Sequence, residues 1–154
     1  MTQEAKNKVF EKFTAPEWNV GIVVAGFNLD ITEKLLESAK ECALAYGVQP
    51  ENISVEYVAG CVEIPLILQT FAQTKKYHAL VALGAIIRGD TPHFDFVAKA
   101  VTEGVMRVQL DSGIPIGFGI LTLENKTQAE IRLRSGYGSM EAALQSAKII
   151  EGIK

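Results

Sequence analysis

The sequence predicts one α/β domain of three layers, α/β/α, built on a four-stranded parallel sheet of order 2-1-3-4. Three observations carry the α/β class and the parallel sheet, and the strand order is adopted with them. Four apolar runs are each followed by a segment with helical spacing, the alternation that produces a parallel sheet with right-handed helical crossovers. The first run, Val20-Gly21-Ile22-Val23-Val24-Ala25-Gly26, is apolar without alternation, as a strand covered on both faces must be. A chain of 154 residues, 48% hydrophobic and 21% charged, is about one domain with enough apolar mass for a packed core.

Taken in order, residues 1–18 are mixed and polar, with Val9, Phe10 and Phe13 as anchors, and read equally as an arm or as an edge strand lent to a neighbour. Residues 19–154 form the α/β domain. Its first strand stops at Phe27-Asn28. Asp30 and Glu33 are spaced as a capping box, and Ile31, Leu35 and Cys42 with Leu36, Ala39, Ala43 and Tyr46 mark a helical face ending at Gly47. Ile53-Ser54-Val55-Glu56-Tyr57-Val58 is the second strand. After Gly60, Pro65 opens a helix expected to run to about Lys76, which leaves Glu63 at a strand-to-helix turn.

His78 to Leu83 is the third strand. The helix after it shows Phe94, Val97, Ala98, Val101, Val105 and Val108 at helical spacing and ends at Asp111-Ser112-Gly113. Ile114 to Leu121 is the fourth strand, where Pro115 suits a strand's first residue or an edge. Asn125 and Gln128 cap a further helix. Two close glycines in Ser135-Gly136-Tyr137-Gly138 predict a kink or break there, since each weakens a helix by roughly 1 kcal/mol relative to alanine. Ser139 then restarts a helix whose Met140, Ala143, Leu144, Ala147 and Ile150 form a stripe suited to core or subunit contact.

The chemistry is expected between Gly84 and Phe96. Thr91 suits an N-cap and Pro92 the first helical residue, so His93 falls in the first turn. Free N–H groups at a helix start attract an anion, and Gly89 allows backbone to approach a phosphate closely; Arg88 has no assigned direction. The dipole there disfavours an imidazolium, whereas Asp95 favours one. The same stretch also reads as a capped helix with a surface histidine. In sheets of this kind ligands bind beyond the carboxyl ends of the strands, where strand order reverses. With order 2-1-3-4 that point lies between strands 1 and 3, so Phe27-Asn28 faces the turn before His93, with Glu63 nearby. Phe27 and Phe118 alone also read as core aromatics, and Glu63 as a helix-dipole partner.

Composition excludes several classes. The formal charge is −3 with no basic run, which leaves no nucleic-acid footprint and no basic membrane patch. No apolar stretch reaches the roughly 18 residues of a membrane-spanning helix, and the N-terminus lacks signal-peptide order, so a cytoplasmic protein is expected. Cys42 and Cys61 lack metal-type spacing and are expected to be reduced thiols. No metal site is expected.

Read together, these residues resemble the lumazine synthase family over nearly the whole chain. The resemblance lies in Phe27-Asn28 with Ile31-Thr32, Gly60-Cys61-Val62-Glu63-Ile64-Pro65, Arg88-Gly89-x-Thr91-x-His93-Phe94-Asp95, Phe118-Gly119-Ile120-Leu121-Thr122 and Gln128-Ala129, in the family's order. It implies a flavodoxin-like fold and condensation of 5-amino-6-(ribitylamino)uracil with 3,4-dihydroxy-2-butanone 4-phosphate to 6,7-dimethyl-8-ribityllumazine, phosphate and water. Neither metal nor organic cofactor is implied. By position, Phe27 stacks on the pyrimidine and Glu63 accepts from ribityl hydroxyls, in a pocket completed by Asn28, Cys61, Val62, Ala85, Ile86, Ile87 and Phe118. Gly89, Asp90, Thr91 and Arg132 hold the phosphate, and His93 shuttles protons. The resemblance also implies a homo-oligomer, a pentamer in the first instance, with Phe118 and Arg132 serving the adjacent subunit's site.

The chain departs from the family in places. A lysine common near the last helix falls here on about Gly138, in a shortened segment, so one phosphate-site cation is missing. Arg132 matches the phosphate-binding arginine when counted from Gln128, but Arg134 is close enough to leave that choice open. Cys61, Val62 and Ala59 alter shape more than chemistry. Two rivals remain: a non-catalytic protein of the same fold binding a flavin or ribityl-pyrimidine, and a flavodoxin-like nucleotide binder, disfavoured because no Gly-x-Gly-x-x-Gly follows the first strand.

Overall fold

Each strand owes its place to which faces it can bury. The computed structural model describes residues 10–154; the expectation for residues 1–9, Val9 included, lies outside the described residues. Four strands, β1 (Val20–Ala25), β2 (Ile53–Val58), β3 (Ala79–Ile87) and β4 (Ile116–Leu123), pair in parallel in the order β2-β1-β3-β4. Helices α1 (Leu29–Ala45) and α4 (Ser135–Ile153) cover one face. Helices α2 (Ile64–Gln73) and α3 (His93–Ser112) cover the other. Val20, Ile22 and Val24 point to the α1–α4 side, and Val23 and Ala25 to the α2–α3 side. Both residue sets of β1 must therefore be apolar, which is why the run shows no alternation.

The crossovers make the crevice. β1 and β3 are neighbours in register, Val20 with Ala79 through Val24 with Leu83. The chain leaves β1 for α1 on one face and leaves β3 for α3 on the other, so the carboxyl ends of these two strands open a cleft between diverging turns. Residues 10–18 carry no regular structure but are held down. Phe13 packs edge-on against Trp18 and Tyr46, Trp18 stacks on His78, and Gln145 Nε2 donates to Glu11 O and to the Tyr46 hydroxyl.

Several local expectations are corrected. α1 starts at Leu29 behind Asn28, which is left-handed at φ 60, and Asp30 caps nothing; it pairs with Lys126 instead. α2 ends at Gln73 rather than near Lys76. β3 continues four residues past Leu83, because Gly84 to Ile87 find ladder partners in Ile120 to Leu123. β4 correspondingly begins and ends two residues later than expected, with Pro115 just ahead of an outer strand. α3 begins at His93, with Pro92 at the cap position, one residue after the expected start. The Asn125 side chain does accept from Gln128 N–H, but what it caps is a 3-10 helix, Lys126–Arg132.

The largest correction concerns the last helix. α4 runs unbroken through Gly136 and Gly138, Ser139 lies inside it, and the interruption falls earlier, at Leu133-Arg134. Gly136 is a contact, not a breaker: a Cβ there would sit 2.1 Å from Leu35 O and 2.5 Å from Ser38 Oγ. Tertiary packing outweighs the propensity cost.

Candidate active site

Three turns meet at the carboxyl ends of β1, β2 and β3. Gly26 N–H and Phe27 N–H donate to Val58 O and Ala59 O, which stitches the end of β1 to the end of β2. Asn28 closes the other side. Its left-handed backbone turns the chain into α1, and its Nδ2 donates to Ala85 O at 3.0 Å. Thr32, fully buried, donates from Oγ1 to Ala25 O and fixes the first turn of α1 against the strand. Phe27 is thereby presented outward, 70% exposed, with its ring edge against Gly60. Phe27 is therefore not a core aromatic of this chain, and its ring is open to contact from outside.

The second turn is the 3-10 turn Cys61–Glu63 that leads into α2. Glu63 Oε1 accepts from Gly60 N–H at 2.9 Å. One oxygen is thus engaged, and the carboxylate is oriented with acceptor capacity left over. Val62 is half exposed beside it. Cys61 points inward toward Gly84, where a Cβ would lie 2.4 Å from its sulfur, so glycine at 84 is what lets this turn dock on β3. Burial pushes the Cys61 thiol up to about 11, and it is a packed thiol, not a nucleophile. Ala85 and Ile86 bury their side chains on opposite faces of the sheet. Only their backbone can meet a ligand in the cleft; Ile87 is half buried.

The third turn, after β3, carries the candidate phosphate and proton-transfer groups. Gly89, Asp90 and Thr91 are exposed, and their amides donate to no protein group among the described residues. The Thr91 hydroxyl accepts weakly from His93 N–H at 3.4 Å. His93 is the first residue of α3, exposed, and its ring makes no hydrogen bond among the described residues. An anion at this turn would meet backbone N–H groups and a helix N-terminus together. Arg88 is turned away from it. Its guanidinium donates to Glu124 at 2.8 Å and to Asp95 at 3.5 Å and lies 4.3 Å from the Phe94 ring centroid. The Glu124 hydrogen bond, with Asp95 behind it, holds this guanidinium above the usual arginine range.

Phe118 and Arg132 make no hydrogen bond or ion pair with the residues of this cleft among the described residues. Phe118 is paired with Ala82, five residues short of the rim that Ile87 and Leu123 form, on the outer strand. At about 3.3 Å per residue and 4.8 Å per strand its backbone lies about 12 Å from the end of β1, two strands away. It is 43% exposed and faces an open groove of about 540 Å³ between α3 and α4, shared with Gly138 and Ser139. Arg132 is exposed at the end of the 3-10 helix after β4, with Nη1 donating to Gln128 O. It forms no ion pair among the described residues, whereas Arg134 is bound to Glu41 at 2.9 Å and stacked on Tyr137. Glu124 and Thr32 went unnoticed as groups that hold this rim. A buried threonine one turn into a helix was legible as a local signal; Glu124, 36 residues from Arg88, was not.

No cluster of three or more histidine, cysteine or acidic side chains is placed for a metal among the described residues, and no described helix is long and apolar enough to cross a membrane. A sequence model of the family described as 6,7-dimethyl-8-ribityllumazine synthase matches residues 17–151. A protein of that name from Parabacteroides distasonis is 44% identical over 138 residues, covering 88% of this chain and 86% of its own. Another from Clostridium kluyveri is 41% identical over 153 residues, covering 96% and 99%. With its cleft between β1 and β3 flanked by Phe27, Glu63 and the turn before His93, the chain belongs to the 6,7-dimethyl-8-ribityllumazine synthase family.

Proposed function

We infer that the protein is a lumazine synthase of riboflavin biosynthesis, condensing 5-amino-6-(ribitylamino)uracil with 3,4-dihydroxy-2-butanone 4-phosphate. The observation that carries this reading is the convergence, in a chain of this family, of an outward phenylalanine, an oriented carboxylate and an anion-ready helix start on one cleft. In the proposed pose the pyrimidine stacks on Phe27 and ribityl hydroxyls donate to Glu63. The backbone of Asn28, Cys61, Ala85 and Ile86, with the Val62 and Ile87 side chains, lines the rest. The phosphate sits on the Gly89, Asp90 and Thr91 amides and the Thr91 hydroxyl.

The chemistry needs proton transfers and no redox step. The 5-amino group attacks the ketone, water leaves to give an imine, phosphate is eliminated, and the ribityl-bearing nitrogen closes the ring with loss of water. His93, beside the phosphate turn, moves protons to and from these centres. Holding two reactants in register supplies much of the remaining acceleration. No cofactor is required. The test is to mix the purified protein with both substrates and follow lumazine absorbance; binding without product would leave a non-catalytic ribityl-pyrimidine binder.

Phe118 and Arg132 complete the site from a neighbouring subunit, which makes the protein a homo-oligomeric ring, a pentamer in this proposal, acting in the cytoplasm. Heterologous contacts around a closed ring bring one face of each chain to a different face of the next. His93→Ala and Arg132→Ala chains, each impaired alone, should regain activity when refolded together. If subunits mix randomly, roughly a quarter of sites hold both native residues. Native mass spectrometry checks the mixing, and verified mixed rings no more active than the parents' average would mean that both residues act from one chain or that Arg132 is not in the site.

A further inference from the structure

Arg88 is the residue of the rim whose position calls for a function beyond its charge. It immediately precedes the exposed turn of Gly89, Asp90 and Thr91, and its N–H donates to Leu123 O at the last rung of the sheet. From there its side chain reaches in two directions. Nη2 meets Asp95 Oδ1, in the first turn of α3, at 3.5 Å, and Nε donates to Glu124 Oε2, just past the end of β4, at 2.8 Å. The Phe94 ring underlies the guanidinium at 4.3 Å. The pair with Asp95 spans seven residues and so closes the turn and His93 into one loop. The pair with Glu124 fastens that loop to the 3-10 helix, because Glu124 N–H donates to Gln128 Oε1 and Arg132 Nη1 donates to Gln128 O.

We propose that Arg88 is a positioning residue for the phosphate half of the reaction, clamping the 89–91 turn and His93 at both ends and tying them to the segment that carries Arg132. This rests on the reading of the cleft as a lumazine synthase site. Neither ion pair alone need contribute much to stability, since both are exposed and such pairs are commonly worth 0–1 kcal/mol. Their value lies in geometry. A planar fork that satisfies two carboxylates while stacked on a ring has one orientation, and a turn whose amides donate to no protein group among the described residues depends on what is fixed at its two ends. Lysine at 88 could keep the charge but could not hold both carboxylates and the ring together.

The test is a double-mutant cycle on the full chain with Arg88→Ala, Glu124→Ala and the double variant. Each is assayed for KM of the phosphorylated butanone, for Kd of inorganic phosphate, and for Kd of a ribityl-pyrimidine analogue. Each single variant should weaken both phosphate readouts by a similar factor, roughly tenfold, with the analogue unaffected, and the double variant should be no worse than Arg88→Ala. Arg88→Lys should fall between. If Arg88→Ala weakens phosphate while Glu124→Ala leaves it unchanged or tightens it, the guanidinium touches phosphate itself and the proposal fails. It fails equally if neither single variant moves either readout, or if Glu124→Ala, which leaves Arg88 in place should Arg88→Ala not fold, weakens phosphate and analogue alike. A wild-type protein that makes no lumazine would instead remove the functional reading, while its phosphate affinities would still report on the clamp.

Discussion

Replacing Gly136 and Gly138 by alanine, one at a time, should move stability in opposite directions although the two residues lie two apart in the same helix. A Cβ at 136 would be 2.1 Å from Leu35 O, 2.5 Å from Ser38 Oγ and 2.8 Å from Leu35 C, all in α1, where ordinary contact starts at 3.4 Å. α4 must back away by about 1 Å, and a gap of that size forfeits up to half of the dispersion energy along the facing side chains. It also pulls on Ser38, whose hydroxyl is buried between Leu35 O and Leu133 O. Overpacking of this kind costs about 1–3 kcal/mol, and more when backbone is the obstacle, against a helix-propensity gain of about 1 kcal/mol. The net loss is about 2 kcal/mol, or 4–8 °C in Tm for a domain of this size. At 138 a Cβ meets nothing within 4 Å. Gly138→Ala should keep the propensity gain and raise Tm by about 2–4 °C. Thermal and urea unfolding of both variants decide the matter. Equal effects, or the reverse order, would refute the claim that close approach to α1 selects glycine at 136.

Three further outcomes are expected. His93→Ala should lower turnover roughly 10²-fold with binding of a ribityl-pyrimidine analogue intact, by stopped-flow and equilibrium titration; unchanged turnover would remove its proton-transfer role. Arg132→Ala should raise KM for the phosphorylated substrate, whereas Arg134→Ala should cost the exposed Glu41 pair and the Tyr137 ring contact, about 1 kcal/mol together, and leave KM alone. The opposite pattern would reassign the phosphate arginine. Burial holds the Cys61 thiol at about 11 and the Cys42 thiol at about 12, both above the ordinary value of 9.0. The unfolded chain therefore loses these protons first, and stability should fall as pH rises from about 9 toward 11. Urea midpoints across that range check the sign, and iodoacetamide at pH 8 should label neither thiol until the protein is denatured.

What the sequence shows depends on the range over which each feature is set. β1 and the faces of α1 and α3 were legible because their burial pattern is local, and four βα units implied a parallel sheet; the 2-1-3-4 order, which no local signal sets, is the one the structure has. The ends of β3 and β4 were not. Gly84 and Ala85 look like a turn when read locally but become strand because Ile120 and Leu121 supply partners 36 residues on. Gly136 was misread for the same reason, since its partner Leu35 is a hundred residues away in the chain. Phe27, Glu63 and the turn before His93 were legible as neighbours of the cleft because each sits at a strand-to-helix junction. The direction of Arg88 was open to local reading only as far as Asp95, and its stronger partner comes from another strand.

That direction changes the electrostatics of the proposed phosphate site. Four cations lie on the segments that follow β3 and β4. Arg88 is held by Glu124 and Asp95, Lys126 by Asp30, and Arg134 by Glu41 and the Tyr137 ring. Arg132 alone makes no ion pair among the described residues, and the lysine that the family resemblance expects nearby is replaced by about Gly138. In the proposed site a phosphate on this rim would be bound chiefly by oriented N–H groups, with Arg132 of a neighbouring chain contributing charge, rather than by a cluster of cations. Such a site depends more on geometry than on net charge. A misplaced amide loses its hydrogen bond outright, whereas a cation's attraction falls off only gradually with distance. On the proposed reading the precision with which the 89–91 turn is held would set the affinity, and a guanidinium engaged by two carboxylates would supply that precision where one pointing at the phosphate would not.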